Sequence, residues 1–484
     1  MQEIRILEVC IAIFIAVPLL RPFMKGLQSL EGLALFPLFA LVCAVGLFPA
    51  YGFRPECIPL VIIAILLNIH TIPEIAALVK RESRDAFLYA HPAYALVLLG
   101  AAVLTAGTAV IFAPLLDAPL RTEGVSTVRV THTARNAEFF LRIYGQETES
   151  EKRPLLFVVP PVIGSVTAVD LVCTALEAQG FKVITYSRRN FDVPAVGHQG
   201  KRYGVSPGTL FRLFRAFALG TAFEDANSLG RTLEGERTED MLFLLAYIRD
   251  VLDLGRFTDK STVFLAGYDL GGSGSLFIGE SSELIKDNPQ LKGVIVIESP
   301  LWSLYQAEQR RPPAPPEGSV LWFRNMWSGI TGWFLGLAPK KMIGVEQVPR
   351  LKLPALFLVS DKAAIPRYRD GPYRPIIRML QSSQSAIAAV NGAGVLAYSD
   401  YPVKYPLYGA FFPGSKPRVW EPAEYIEGTA AIIGAFASLA VSGSSEDAPK
   451  SPLVKEEQKR FLEKIHFESG RVWNLPSFKS ILMP

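Results

Sequence analysis

The chain has 484 residues, of which 50% are apolar and 19% are charged, and its formal net charge is +4. The net charge is small and no basic stripe is interleaved with aromatic residues. The sequence therefore predicts no nucleic-acid partner. The mean hydropathy of +0.27 is high for a purely soluble protein. The four cysteines form neither a Cys-x-x-Cys pair nor a metal-ligand spacing. The sequence therefore predicts no disulfide framework, no metal site and no cofactor.

The first 120 residues contain four apolar runs: Ile6–Leu20, Leu33–Ala50, Ile58–Val79 and Ala93–Leu116. The last three are long enough to cross a hydrocarbon core of about 30 Å. Four such runs with few charges predict a transmembrane anchor of about four helices over residues 1–120, with the lipid bilayer as its partner. Buried helices of a soluble protein are the alternative. A signal peptide is the alternative for the first run, but Glu3 and Pro18 argue against it.

The basic residues around these runs predict an orientation. Five lie in the loops after the first and third runs: Arg21, Lys25, Lys80, Arg81 and Arg84. Four lie on the opposite side: Arg5, Arg54, Arg121 and Arg129. By the positive-inside rule, this small excess favours a multi-pass membrane protein whose soluble part lies outside the cytoplasm.

Strands and helices alternate from Thr127 onwards. An antiparallel edge pair is predicted first, at Thr127–Thr131 and Glu138–Tyr144. Buried strands follow at Leu155–Val159, Phe181–Tyr186, Thr262–Ala266, Leu291–Ile297, Ala355–Val359 and Val395–Tyr398. Helices are predicted at Thr167–Gln179, at Thr238–Leu254 with Thr238 as N-cap, and at Glu424–Ala440. The pattern predicts an α/β domain over residues 121–443, built on a mostly parallel sheet covered on both faces.

Two further segments complete the predicted organisation. The insertion Glu298–Pro354 holds four of the six tryptophans, which predicts a cap over the site. Completion of the core and contact with the bilayer surface are the alternatives for these rings. Residues 444–484 are predicted to form a linker, a short helix and a tail. The helix at Glu424–Ala440 is apolar enough to be considered as a fifth span, but its shortness favours packing on the sheet.

A strand, a sharp turn and a helix meet around Asp269. The residue lies among three glycines, Gly267, Gly271 and Gly272. Glycines next to a residue at the tip of so tight a turn remove the side chains that would clash there. The stretch resembles the nucleophile elbow of the α/β-hydrolase fold, with aspartate where esterases have serine. The resemblance covers about Leu155–Ala440.

The resemblance implies roles for further residues. The backbone N–H of Val162 or Ile163, after the third strand, and that of Leu270 would form an oxyanion hole. Asp269 would be the nucleophile, and Asp361, at the end of Ala355–Val359, would be the acid. In platelet-activating-factor acetylhydrolase-like and dienelactone-hydrolase-like members, a histidine follows the last strand. Here that place, Gly392–Pro402, contains none.

The missing base is the main departure from the family pattern. The chain has five histidines, His70, His91, His132, His198 and His466, and none lies between residues 199 and 465. A carboxylate nucleophile needs no deprotonation at neutral pH, but hydrolysis of the resulting ester needs a base to activate water. His198, in the loop after the fourth strand, is the best substitute. A solvent-exposed loop histidine is the simpler interpretation.

Three functional hypotheses follow. The first is a membrane-anchored pseudo-hydrolase with a degenerate triad and a binding or scaffolding role. The second is an active hydrolase of ester or lipid-like substrates that uses Asp269, Asp361 and His198. The third places the function in the membrane spans, with the soluble domain as a partner-binding module. The sequence names no protein partner.

Overall fold

A computed structural model describes the protein over the following residues: 2–20, 24–28, 30–51, 58–80, 100, 119–145, 153–206, 208–209, 212, 224–254, 258–299, 305–307, 342–344, 351–360, 385–390, 398–404 and 422–442. Four predicted features lie outside these residues: nearly all of the fourth apolar run, most of the cap insertion, Asp361, and the tail from residue 443.

The N-terminal part is a group of packed helices: α1 (Gln2–Leu20), α2 (Lys25–Gln28), α3 (Phe36–Tyr51) and α4 (Ile58–Lys80), with a 3-10 turn at Glu31–Leu35. Small and branched side chains fill the space between α1, α3 and α4, among them Ile11, Ala40 and Ala64. Alanines at the contact let the backbones approach closely. The Asn68 side chain donates to the Pro37 carbonyl at 2.8 Å, which ties α4 to the start of α3.

Among the described helices, no single one is both long and apolar enough to cross a membrane. One bent pair, Leu60–Ile69 with Thr71–Lys80, meets the criteria for length and composition, with an angle of 47° between its halves. Pro73 lies inside α4 and removes a helical hydrogen bond, which accounts for a bend in this region. The predicted anchor of four spanning helices is therefore not supported: the apolar parts of α1 and α3 are too short, at Cys10–Leu20 and Gly32–Ala44.

An eight-stranded sheet forms the centre of the second part. Its strands in chain order are β1 (Val125–His132), β2 (Ala137–Tyr144), β3 (Arg153–Val159), β4 (Lys182–Arg188), β5 (Thr258–Tyr268), β6 (Leu291–Ile297), β7 (Ala355–Ser360) and β8 (Ala386–Val390). Their order across the sheet is β1-β2-β4-β3-β5-β6-β7-β8. β2 pairs antiparallel with β1 and with β4, and the other pairs are parallel. The predicted edge pair and the mostly parallel sheet are confirmed.

Within the described residues, six helices accompany the sheet: α5 (Asp170–Ala178), α6 (Glu224–Asp250), α7 (Leu270–Glu280), α8 (Ser282–Asp287), α9 (Tyr401–Lys404) and α10 (Pro422–Ser442). α5 and α10 cover one face of the sheet, where Phe436 lies in the same buried cluster as Phe264. α6 and α7 cover the other face, where Met241 and Leu276 lie in one cluster with Leu265. Neighbours along β5 thus point into opposite cores, as the strand period requires. The predicted packing of the last helix on the sheet is confirmed.

One predicted boundary is wrong. α6 begins at Glu224 rather than Thr238, and the Thr238 hydroxyl donates to the Glu234 carbonyl inside the helix at 2.8 Å instead of capping it. A strand that was not predicted, β8 at Ala386–Val390, pairs in parallel with β7. Of the predicted strand Val395–Tyr398, only Tyr398 lies within the described residues.

Short elements connect this framework. Further 3-10 turns lie at Thr133–Arg135, Ser165–Ala168 and His198–Gly200. Two small antiparallel pairs lie outside the sheet: Ala195–Val196 with Arg202–Tyr203, and Tyr305–Ala307 with Met342–Gly344. The second pair belongs to the predicted cap insertion.

Candidate functional site

The turn between β5 and α7 holds Asp269 in a strained backbone conformation. Its φ is 51° and its ψ is −121°, a combination that costs free energy for a residue with a Cβ. A Cβ at Gly267 would overlap the backbone of Gly271, and one at Gly271 would lie 2.5 Å from Val159 Cγ1. The Asp269 N–H donates to the Ile297 carbonyl at 3.1 Å, which fastens the turn to β6. The glycines are therefore required sterically, and the turn has the geometry of an elbow.

Asp269 is half-buried, and the groups that act on the pKa of its carboxyl are its own burial, Arg237 and the backbone N–H groups of Val162 and Leu270. Burial raises the pKa of this carboxyl to about 6, although the positive charge of Arg237 and the two N–H groups oppose the rise. Asp269 is thus mainly ionised at neutral pH. The two N–H groups predicted to form an oxyanion hole therefore act on a carboxyl group of the chain itself.

Arg237 is the basic group beside this site, and it is completely buried. Its guanidinium lies 3.0 Å from the Asp192 carboxylate and donates to the Pro160 carbonyl at 2.8 Å. The ring of Tyr186 lies under it, with 4.8 Å from the guanidinium carbon to the ring centroid. Because Pro160 precedes Val162, Arg237 supports the loop that supplies one of the two amides.

The sequence had not drawn attention to Arg237. The one feature of the sequence that indicates its burial is its spacing. It lies on the same side of α6 as Met241 and Leu244, at helical spacing, and all three residues are buried. A charged residue on such a buried stripe needs an oppositely charged or hydrogen-bonding partner nearby, because an unpaired buried charge is costly.

The segment Tyr398–Lys404, after β8, lies where the resemblance places a catalytic histidine. It packs onto the loop after β3 that contains Val162 and Ile163, here called the oxyanion loop. The Tyr401 hydroxyl donates to the Ile163 carbonyl at 2.7 Å, and the Tyr398 hydroxyl donates to the Val359 carbonyl at 2.7 Å. The buried Asp400 carboxylate accepts from the N–H of Leu171 at 2.7 Å and pairs with Lys404. These polar groups are used for structure within the fold.

The described histidine side chains stand apart from these contacts. His198 is exposed on the turn His198–Gly200. His132 lies at the end of β1, where its Nδ1 accepts from the Arg135 N–H at 3.3 Å and its ring contacts the Phe243 ring at a tilt of 51°. Neither is among the groups that act on the Asp269 carboxyl. Asp361 and His466 lie outside the described residues. Within the described residues, no group of three His, Cys, Asp or Glu side chains is arranged to hold a metal ion.

A second polar cluster adjoins the first turn of α7. The buried Ser273 hydroxyl donates to Glu234 Oε1 at 2.6 Å and lies 2.8 Å from the Ser299 hydroxyl. Ser299 is partly exposed, and it lies so close to the elbow that a Cβ at Gly272 would be 2.7 Å from the Ser299 Cβ. Ser275, in contrast, donates to the Gly271 carbonyl within its own helix. Hydrogen bonds among Ser273, Glu234 and Ser299 thus link α7, α6 and the end of β6 beside the elbow.

Comparison with known proteins gives limited matches. A family model described as an N-terminal domain, TP_0976_N, matches residues 2–113, less than half of the chain. No curated protein sequence matches. Solved structures similar to this one include a ferulic acid esterase from Streptomyces cinnamoneus, with 14% identity, TM-score 0.41, and coverage of 68% of this chain and 93% of that chain. An esterase from Pyrobaculum calidifontis has 14% identity, TM-score 0.35, and coverage of 69% and 91%. Fungal esterases from Rhizomucor miehei have 14% identity, TM-score 0.38, and coverage of 69% and 90%.

Identities and TM-scores this low say nothing about activity. The strand order and the elbow of this chain are the grounds for its fold. On those grounds the second part is a mostly parallel α/β sheet that resembles the α/β-hydrolase fold.

Proposed function

We propose that this chain is a membrane-attached pseudo-hydrolase, a protein whose hydrolase-type site binds a ligand or a partner without turning over esters. The observation that carries the proposal is the place of Asp269 at the strained tip of the elbow, where the Val162 and Leu270 amides act on its own carboxyl group. An oxyanion hole works by donating to the oxygen that becomes charged during acyl transfer, and loss of a single donor lowers the rate about 10²- to 10³-fold. Donors that act on a carboxylate of the chain itself are less available to a substrate.

Among the residues that the structure describes, no base acts on the Asp269 carboxyl, and this supports the same proposal. Even if the carboxylate attacked an ester or a related electrophile, the covalent product would persist without a group to activate water. The segment after β8 uses its polar side chains for hydrogen bonds inside the fold instead.

The membrane attachment rests on the exterior of the N-terminal helices. Large apolar side chains are exposed on α1, α3 and α4 alike: Ile13 is 50% exposed, Val42 61% and Ile69 60%. Helices with apolar residues both between them and on their outer surface are typical of a lipid environment. The excess of basic residues after the first and third apolar runs further favours a domain outside the cytoplasm. Extraction of membranes with alkaline carbonate tests the attachment: we expect the protein in the pellet, and its release into the supernatant would contradict this part.

An active hydrolase is the second candidate. The partial exposure of Asp269 in an intact elbow favours it, with His198 as displaced base and Asp361 as second acid. Against it, His198 faces solvent and is not among the groups that act on Asp269. An ester or lipid-like molecule would be the substrate.

A turnover assay separates the two. Purified full-length protein is incubated with short-chain p-nitrophenyl esters, and its steady rate is compared with those of Asp269→Asn and His198→Ala. We expect all three rates to be equal and close to the background rate of the buffer. Steady turnover by the unmodified protein that Asp269→Asn abolishes would overturn the proposal, and its loss in His198→Ala as well would establish the alternative. Asp250→Asn, at the exposed far end of α6, is the matched control.

A further inference from the structure

Ser299 is placed beside the elbow by a second strained turn. β6 ends at Ile297, and the next residue, Glu298, has a φ of 47°, in the left-handed region that residues with a Cβ seldom adopt. The Glu298 N–H donates to the Leu358 carbonyl at 3.0 Å, which fixes the turn to β7. The partly exposed Ser299 follows directly. Because β5 and β6 are parallel, this hydroxyl lies at the same end of the sheet as Asp269.

The Ser299 side chain lies against the first turn of α7, in space that a glycine leaves open. A Cβ at Gly272 would lie 2.7 Å from the Ser299 Cβ and 3.1 Å from the Ser299 Oγ. α7 begins at Leu270, so this contact is with its N-terminal turn. The N-terminus of a helix carries a partial positive charge, which stabilises negative charge that develops near it.

A buried carboxylate is hydrogen-bonded to Ser299 through one intermediate serine. The Ser273 hydroxyl has a single proton, which it donates to Glu234 Oε1 at 2.6 Å. The contact of 2.8 Å between the Ser273 and Ser299 hydroxyls therefore uses the proton of Ser299. Ser273 and Glu234 are each only 3% exposed. The three side chains thus form a relay along which a proton can leave the partly exposed Ser299 for the buried Glu234.

We propose that Ser299 is a nucleophile that accepts one activated acyl group and keeps it. The Ser299 Oγ bonds to the acyl carbon, the bond from that carbon to the leaving group breaks, and the leaving group departs as an anion. The proton of Ser299 passes to Ser273, whose own proton passes to the Glu234 carboxylate. Charge is conserved in this step, because the carboxylate becomes neutral as the leaving group becomes an anion.

The base at the end of the relay determines the class of acyl donor. A carboxylate is a weaker base than an imidazole, so the donor needs a leaving group that is stable as an anion, such as the thiolate of a thioester or the phenolate of an aryl ester. After transfer, the ester oxygen still lies against Ser273 and occupies the place from which the relay would activate water. The acyl group therefore stays on Ser299. The inference goes beyond the proposed function, which concerns steady turnover.

The test is a burst experiment with p-nitrophenyl acetate, applied to the full-length protein in a nonionic detergent. We expect a burst of p-nitrophenolate followed by the background rate, and mass spectrometry of the digested protein should locate an acetyl group on Ser299. Ser261 is the internal control, since it is exposed and donates directly to the Asp259 carboxylate without a buried relay. An unmodified Ser299, or equal acetylation of Ser261 and Ser299, would overturn the inference.

Four variants test the relay through the rate of the burst. Ser299→Ala should abolish the acetylation at this position. Ser273→Ala and Glu234→Gln should each slow it about 100-fold, because a positioned general base contributes about 10²- to 10⁴-fold. Asp250→Asn, which removes an exposed carboxylate at the far end of α6, is the matched control and should leave the rate unchanged.

The double variant of Ser273→Ala and Glu234→Gln distinguishes a relay from a structural role. Groups that act as one unit are not additive, so the double variant should be no slower than the slower single variant. Circular dichroism checks that each variant is folded, and Ser273→Ala alone decides the test if Glu234→Gln does not fold. An unchanged rate in Ser273→Ala would overturn the inference, as would additive losses in the double variant.

The two proposals fail in different ways. Steady release of p-nitrophenolate that depends on Asp269 would refute the pseudo-hydrolase, whether or not Ser299 carries an acetyl group. An unmodified Ser299, in a protein without steady turnover, would refute the acyl acceptor alone.

Discussion

The elbow at Gly267–Gly272 and the segment Tyr398–Lys404 both follow strands of the parallel sheet, but their polar groups have different uses. In the elbow, a strained backbone holds the half-buried Asp269 at the tip of the turn, with its carboxyl desolvated. In the second segment, Tyr398 and Asp400 are buried and bond to the backbone of β7 and α5. The comparison teaches that the backbone geometry of a hydrolase-type site can persist while the segment that would supply a base serves packing.

The largest expected effect tests the elbow. Gly267→Ala adds a Cβ that overlaps the backbone of Gly271, which is itself pressed against Val159. Since neither side can move away, we expect a loss of about 4 kcal/mol in the free energy of unfolding, measured by urea titration. Gly235→Ala is the matched control: it lies exposed in α6 with nothing within 4 Å of the new Cβ, and should gain about 0.5 kcal/mol. Equal stabilities of the two variants would contradict the steric account.

The next effect tests the second segment. Asp400→Ala removes the acceptor of the Leu171 and Val172 amides at the start of α5 and leaves Lys404 without its partner. We expect a loss of about 3 kcal/mol, with faster hydrogen exchange of these two amides. Asp400→Asn, which keeps an acceptor oxygen, should lose less. A loss below about 1 kcal/mol in Asp400→Ala would mean that the segment does not hold α5 in place.

The pH dependence of stability separates the elbow carboxyl from the rest of the molecule. Because the pKa of Asp269 is raised from 3.8 to about 6, the folded state keeps its proton at pH values where the unfolded state has lost it. The free energy of unfolding therefore falls as pH rises from about 4 through 6, by on the order of 2 kcal/mol from this group, and the change is complete at about pH 7.

Asp269→Asn should lack this component. The pKa values of Asp240 and Glu280 are also raised, to about 6 and about 8, but both groups are present in both proteins and cancel in the difference. Urea unfolding at pH 4.5 and 7.5 gives the comparison. A difference between the proteins that does not change with pH would show that Asp269 is not desolvated.

The smallest effect concerns the hydrogen bond between the second segment and the oxyanion loop. Tyr401→Phe removes the donor to the Ile163 carbonyl and keeps the ring, so we expect a loss of about 1 kcal/mol. Tyr268→Phe, which removes a bond of the same length to the Tyr398 carbonyl, is the control and should cost a similar amount. A loss above about 3 kcal/mol in Tyr401→Phe alone would mean that this bond does more than join two loops.

Local patterns were sufficient to predict the elbow. Its glycines lie within six consecutive residues, and the steric need for them arises within the same turn. The buried strands were also predictable from short apolar runs, except β8, whose alanines give no strand signal and which pairs in parallel with β7. The start of α6 was missed because Glu224–Glu236 is mostly polar and has no continuous apolar stripe.

The environment of Asp269 was not predictable, because it is assembled from distant parts of the chain. Val162 comes from the loop after β3, and Arg237 comes from α6 and is held by Asp192, 45 residues earlier. No spacing in the sequence indicates that these groups meet. The use of Asp400 and Tyr401 depends likewise on α5 and the oxyanion loop, more than 220 residues away.

The position of α10 determines when the sheet becomes protected during synthesis. One face of the sheet, with Phe264, Ile295 and Leu356, is covered in part by residues 422–442, which leave the ribosome after all eight strands. Parallel pairing of distant strands is slow, and an uncovered apolar face promotes aggregation of the nascent chain. Chains interrupted between β8 and α10 should therefore depend on chaperones, whereas helices α1–α4 end at Lys80, before the first strand begins at Val125.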